Sequence, residues 1–192
     1  MMNKRNRTET TNKMLAAYSA NKTAVGVLAL LLGGVIALAA HAGTDNRAPE
    51  VPEDIAAPAN TKVHFHGFGV GVQIYTWNGT SWGVAVPEAT LFDDEGNVVA
   101  IHFGGPTWQS NSGSKVVGAL PPKAVTVDPN AIPWLLLGAK SPEGPGIFAI
   151  TSHIHRVNTV GGKSPSANGA FVGQVARVPY TADYFFYRQT ND

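Results

Sequence analysis

The chain has 192 residues with 14 basic and 13 acidic side chains, a formal net charge of +1, and 44% hydrophobic residues. Only 14% are charged, well below the roughly one quarter of an average globular protein, and no basic stripe is visible, so a nucleic-acid binder and a charge-rich disordered segment are both excluded. The absence of cysteine excludes disulfides, thiol catalysis and thiolate metal sites.

The charge is unevenly placed. Lys4, Arg5, Arg7, Lys13 and Lys22 precede the first apolar run with only Glu9 against them, and the remainder is net acidic. Residues 24–40 then form an unbroken apolar run ending in Ala40-His41-Ala42. A basic region, an apolar region and a small-x-small motif make residues 1–42 a secretory signal peptide, or an uncleaved anchor if the helix is retained. The expected location is therefore exported, periplasmic or extracellular, with membrane contact only through this N-terminal segment if it is uncleaved. Residues 43–60, rich in Pro, Ala and acids, are expected to be a flexible lead-in that buries little.

From residue 61 to 190 the pattern is that of strands. Val63 and Phe65 alternate with His64 and His66, so the two histidines share one strand face. Gly67, Gly69 and Gly71 follow, too closely spaced for a dinucleotide fingerprint and leading into a strand. Val72–Trp77, the turn Asn78-Gly79 and Thr80–Val86 read as one hairpin. Residues 89–92 and 97–103 make a second, around an acidic turn that lacks the ligand spacing of a calcium loop. Gly104-Gly105-Pro106 is expected to end the strand carrying His102 and to place Trp108 on a loop. Short strands are expected at 115–120 and 124–127, and Ile132–Leu137 reads as a buried strand with Pro133 near its start. Gly146–Asn158 is the longest alternation. In the final strand Tyr180, Tyr184 and Phe186 occupy one face and Phe185 and Tyr187 the other, as in a central, covered strand. About ten short strands with Gly, Pro and Asn turns predict an all-β fold: a single antiparallel β-sandwich or barrel, preceded by the N-terminal hydrophobic helix.

Several motifs occur in a distinctive order: Gly71-Val72-Gln73-Ile74-Tyr75, Pro87-Glu88-Ala89-Thr90-Leu91, His102-Phe103-x-Gly105-Pro106-Thr107-Trp108, Gly113-Ser114-Lys115-Val116-Val117-Gly118, Ile132-Pro133-Trp134-Leu135-Leu136-Leu137, Arg156-Val157-Asn158-Thr159-Val160-Gly161-Gly162 and the closing Tyr-Phe-Phe-Tyr run. Together they resemble domain-of-unknown-function family 3455, exported proteins of bacteria and fungi. The resemblance implies an exported domain without an established activity. Members often carry a cysteine after the GVQIY motif. Trp77 stands there in this chain, so no family disulfide carries over. The malate dehydrogenase label of some fungal members finds no support, since neither a nucleotide fingerprint nor an alternating strand–helix pattern is present.

The leading functional expectation is a non-enzymatic β-domain that binds a small molecule or an envelope partner without a cofactor. Its candidate residues are His102, Trp108, Gln109, Ser114, Lys115, Arg156 and Asn158, expected to line one shallow, mostly polar concavity with Trp108 as its apolar wall. The alternative is a metal-binding protein in which the pairs His64/His66 and His153/His155 hold zinc or copper, because a His-x-His pair on a strand points both rings to one side. Without convergence, those histidines occupy a solvated face. A hydrolase built on His102 with Ser110, Ser112 or Ser114 is a third reading, and it lacks the Gly-x-Ser-x-Gly elbow. No catalytic residue is assigned.

Overall fold

The computed structural model describes residues 47–190. The leader, the apolar run and the Ala-x-Ala motif lie outside the described residues. A short 3-10 turn at Glu53–Ile55 precedes nine strands: β1 Thr61–Thr76, β2 Val86–Phe92, β3 Val98–Phe103, β4 Thr107–Ser110, β5 Lys115–Gly118, β6 Lys123–Val125, β7 Trp134–Glu143, β8 His153–Gly161 and β9 Val175–Gln189.

All pairings are antiparallel. The strands run in the order β5-β4-β3-β2-β1-β9-β8-β7-β6, and an additional pairing joins β5 to β7. Eight strands thus close a barrel, and closure rather than stacking of two sheets removes the exposed edges. β6 is the ninth, extra strand. It pairs with the first residues of β7, Lys123 opposite Leu136, whereas β5 pairs with the later ones, Gly118 opposite Ala139. β5 and β6 therefore lie end to end along one edge of β7, and Leu120-Pro121-Pro122 loops out between them. Leu120 is 69% exposed as a result.

The interior follows from the two-residue period of a strand. On β9, Tyr180, Ala182, Tyr184 and Phe186 point inward and are buried. Opposite them β1 presents glycine. A Cβ on Gly69 would lie 2.6 Å from Cε2 of Tyr184, and one on Gly71 would lie 2.2 Å from the carbonyl oxygen of Glu88. The GxGxG run is therefore a strip of missing side chains that admits the tyrosine ring and lets β2 approach. At one end the barrel is solid. Phe148 and Phe186 sit 4.7 Å apart, Phe65 touches both, and Leu91, Val116 and Ile154 fill the remaining space.

Several expectations change in three dimensions. Gly104-Gly105-Pro106 does not lead the chain out of the sheet. It is a hairpin turn, with Phe103 opposite Thr107 and Gly105 at φ 103°, so Trp108 and Gln109 are strand residues of β4 and not loop residues. Asn78-Gly79 does turn the chain, since Asn78 Oδ1 accepts from the amides of Thr80 and Ser81. The segment after it, however, is irregular apart from a Trp77–Trp82 bridge, and Trp82 Nε1 donates to Ala167 O in the late polar loop. The partner of β1 is instead β2. The alternation over 146–158 is a strand only from His153. Residues 147–150 form a turn that folds Phe148 into the solid end.

The lead-in also differs from expectation. Residues 47–60 run across the outside of β6, β7, β8, β9 and β1. Val51 and Ile55 are buried against Leu136 and Val157, and Ala57 against Val63 and Tyr187. The aromatics on the outer face of β9 need this cover, which is why that strand is apolar on both sides.

Candidate functional site

The end of the barrel away from the phenylalanine cluster is open. It holds a cavity of about 330 Å³ whose floor is built from Trp108, His102 and Tyr184. Val84, Val86, Pro87, Pro106, Leu120, Pro122, Leu135 and Leu137 supply apolar walls. Gln73 and Arg156 also reach it. The size lies at the lower end of the range for small-molecule pockets.

Each polar group is placed by its strand. His102 on β3 is opposite Trp108 on β4, and both point inward. Their rings stack at 4.2 Å with planes 6° apart. Nδ1 of His102 pairs with the carbonyl of Thr107 at 2.8 Å. Burial, opposed only in part by that hydrogen bond, pushes the His102 pKa down to about 3. The ring is therefore neutral near pH 7, with Nδ1 as the donor and Nε2 as an acceptor. The Tyr184 ring meets Trp108 edge-on at 5.6 Å, and its hydroxyl lies 3.0 Å from that of Tyr180. Burial raises both phenols, so they remain protonated donors. Arg156 on β8 points inward, opposite Tyr184 and Leu135 in the neighbouring strands. One of its terminal nitrogens, Nη2, donates to Pro133 O at 2.9 Å, and the side chain also bonds to Tyr184.

Three buried side-chain nitrogens, each on a residue that lines this cavity, have no hydrogen-bond partner in the protein: Gln73 Nε2, Trp108 Nε1 and Arg156 Nε. Each such group costs about 1–3 kcal/mol when left unpaired. Among the described residues these are the side-chain atoms in that condition, and all three belong to residues lining the same space. No Asp or Glu is among the lining residues.

Of the seven residues the sequence pointed to, His102, Trp108 and Arg156 meet here. The other four lie elsewhere. Gln109 is exposed on the outer face of β4. Lys115 forms an ion pair with Glu143 at 2.9 Å. Ser114 is buried beneath the turn, 2.7 Å from Ser110 Oγ and accepting the amide of Phe148. Asn158 sits at the β8 irregularity with φ 50° and donates to Asp183 on the outer face. The concavity is also mostly apolar, not mostly polar, because proline, valine and leucine form its walls. Gln73 and Tyr184 are the members that sequence reasoning missed. A lone glutamine among Val72, Ile74 and the glycines was the available signal: a polar residue on the inward period of a buried strand.

The His-x-His pairs do not converge. β9 lies between β1 and β8, so Phe185 separates His66 from His155, and Tyr187 separates Val63 from His153. Two strand spacings put the pairs roughly 9–10 Å apart across the sheet. Nor do the four share a solvated face. His155 is buried, its Nε2 2.6 Å from Ile55 O and its Nδ1 2.9 Å from the Tyr187 hydroxyl. His64 lies 3.2 Å from Thr151 Oγ1, and burial, helped by Arg188 and Arg47, lowers it to about 4. His66 bridges Asp94 and Asp183 at 2.9 Å each. His153 is half-buried beside Ser152. Among the described residues no group of three or more His, Cys, Asp or Glu is arranged to hold a metal ion. The hydrolase reading gains no geometry either: Ser110, Ser112 and Ser114 bond to one another, and His102 bonds to a backbone carbonyl.

The closed barrel, with its ordered motifs, can be set against known families. The family model described as "Protein of unknown function (DUF3455)" matches residues 58–188. The chain belongs to this family. The DUF3455 match begins just before β1 and ends within β9, so it spans the whole barrel and leaves most of the covering lead-in outside. No curated protein and no solved structure matches the chain.

Proposed function

We propose that this DUF3455 domain is an exported, non-catalytic binding protein that takes a small, largely apolar molecule into the open end of its barrel. One observation carries the reading: three residues that line one mostly apolar cavity each carry a buried nitrogen without a protein partner. An apolar space with a few convergent polar groups is the usual form of a small-molecule site. The basic, apolar and Ala-x-Ala order of the leader supports export. A concavity fits a small ligand better than the flat surface of an envelope partner.

Titration with the neutral fluorophore N-phenyl-1-naphthylamine tests this. Saturable one-to-one binding is expected, and Ala85→Trp should abolish it by filling the mouth, since Ala85 lines the cavity from an irregular segment. Binding that is absent, or unchanged in Ala85→Trp, overturns the reading.

A further inference from the structure

We infer that the barrel cavity selects a monocarboxylate with an apolar body, bound with its carboxylate on Arg156 and Trp108 and its tail toward the mouth. This rests on the cavity being a ligand site and adds the chemical class.

The polar end of the cavity is an unbalanced set of donors. Arg156 brings a permanent positive charge, and no carboxylate lines the space with it. Its guanidinium is held by the Pro133 carbonyl, which accepts from Nη2, and by a bond to Tyr184, and its Nε has no hydrogen-bond partner in the protein. Trp108 Nε1 is a donor only and is likewise unpaired. Gln73 on β1, separated from Arg156 on β8 by β9, adds an amide to the lining. A half-buried cation beside unpaired N–H groups is stabilised by an anion whose oxygens accept from them. His102, held neutral by burial, adds no second charge. One guanidinium balances one carboxylate, whereas a phosphate dianion would bring a second negative charge into apolar surroundings.

The other end sets the body of the ligand. Val84 is 92% exposed, Leu120 69% and Val86 48%, and all three line the cavity. They form an apolar rim that continues the walls outward. A ligand seated with its charge at Arg156 therefore passes an apolar chain or ring out between them.

The test is displacement of bound N-phenyl-1-naphthylamine from the unmodified chain by octanoate, 1-octanol and octylamine, which share a tail and differ in head group. Octanoate should displace at least tenfold more tightly than 1-octanol, with octylamine weakest. Arg156→Lys, which keeps the charge and loses Nε, should reduce the octanoate advantage to within a few-fold and leave 1-octanol unchanged. Should that variant not fold, the series on the unmodified chain decides alone. Equal affinity for octanoate and 1-octanol, preference for octylamine, or no displacement by any of the three while the dye still binds overturns the carboxylate inference and leaves the cavity reading standing. Failure of the dye to bind removes both.

Discussion

Trp108 lies flat on His102, with ring centroids 4.2 Å apart and planes differing by 6°. The same indole meets Phe186 edge-on at 5.9 Å on the side of the solid core. Trp108 is thus the partition between the packed half of the barrel and its cavity, and capping the core and lining a site are one role for it. Trp108→Ala should cost about 3–5 kcal/mol of stability and also weaken binding of the neutral dye. Trp108→Phe should retain most of the stability while losing the Nε1 donor. Urea denaturation of the two variants beside dye titration checks this, and equal stability losses would contradict it.

The outer face carries a titration of its own. His66 is stacked on Phe185 at 4.5 Å and held between Asp94 and Asp183. Burial opposes its charge, but hydrogen bonds to Asp183 and Asp94, with their negative charges, outweigh burial and raise its pKa above 6.5. A raised pKa means that the folded state binds the proton more tightly than the unfolded chain. The stabilisation is fully present below about pH 6.5 and is lost as pH rises through the folded pKa. The stability difference between the parent and His66→Gln should therefore shrink as pH rises from about 5 to about 9. A difference that grows across that range would contradict the arrangement.

His102 and His64 act in the opposite direction. Burial lowers them to about 3 and about 4, so the unfolded chain takes up protons that the folded barrel refuses. Stability should fall as pH drops below 6.5. The His102 contribution is about 1.4 kcal/mol per pH unit at most, ending near its folded pKa. Denaturation midpoints measured from about pH 7 down to about pH 4 check this. His64→Gln should flatten part of the decline.

The lead-in is structural. Ile55 is fully buried against the outer face, and its carbonyl lies 2.6 Å from His155 Nε2. Ile55→Ala should cost about 2–5 kcal/mol. His155→Leu should cost about 1–3 kcal/mol by leaving the Ile55 carbonyl and the Tyr187 hydroxyl short of a partner. Thermal melts of both variants give the comparison, and a loss below about 0.5 kcal/mol in each would mean that the cover contributes nothing.

Gly69 tests the packing that shapes the cavity floor. A Cβ there would lie 2.6 Å from the Tyr184 ring, so Gly69→Ala should cost about 1–3 kcal/mol by overpacking. It should also shift the tyrosine toward Trp108 and weaken dye binding. Unchanged stability and binding would show that Tyr184 has room to move.

What the sequence alone determined is what a strand's two-residue period can carry. Alternation at 62–70, the β-branched and aromatic run 72–77, turn residues at Asn78-Gly79 and Asp93–Gly96, and aromatics on both faces of 180–188 specified an antiparallel, all-β domain with a covered central strand. Barrel or sandwich stayed open, because closure depends on β5 meeting β7, a pairing between residues more than twenty apart that no local pattern encodes. The site divided in the same way. His102, Trp108 and Arg156 are legible as chemistry-bearing residues near strand ends, but Gly104-Gly105-Pro106 has the same local signature whether it turns a hairpin, as it does, or leads the chain out of the sheet. An exit there would group Gln109 and Lys115 with Trp108, whereas in β4 adjacent residues point to opposite faces. The His-x-His pairs show the wider reason. Each pair would share a face in a regular strand, yet a bulge falls at His64, and whether two pairs can meet depends on sheet order: only the tertiary structure placed β9, with Phe185 and Tyr187, between them.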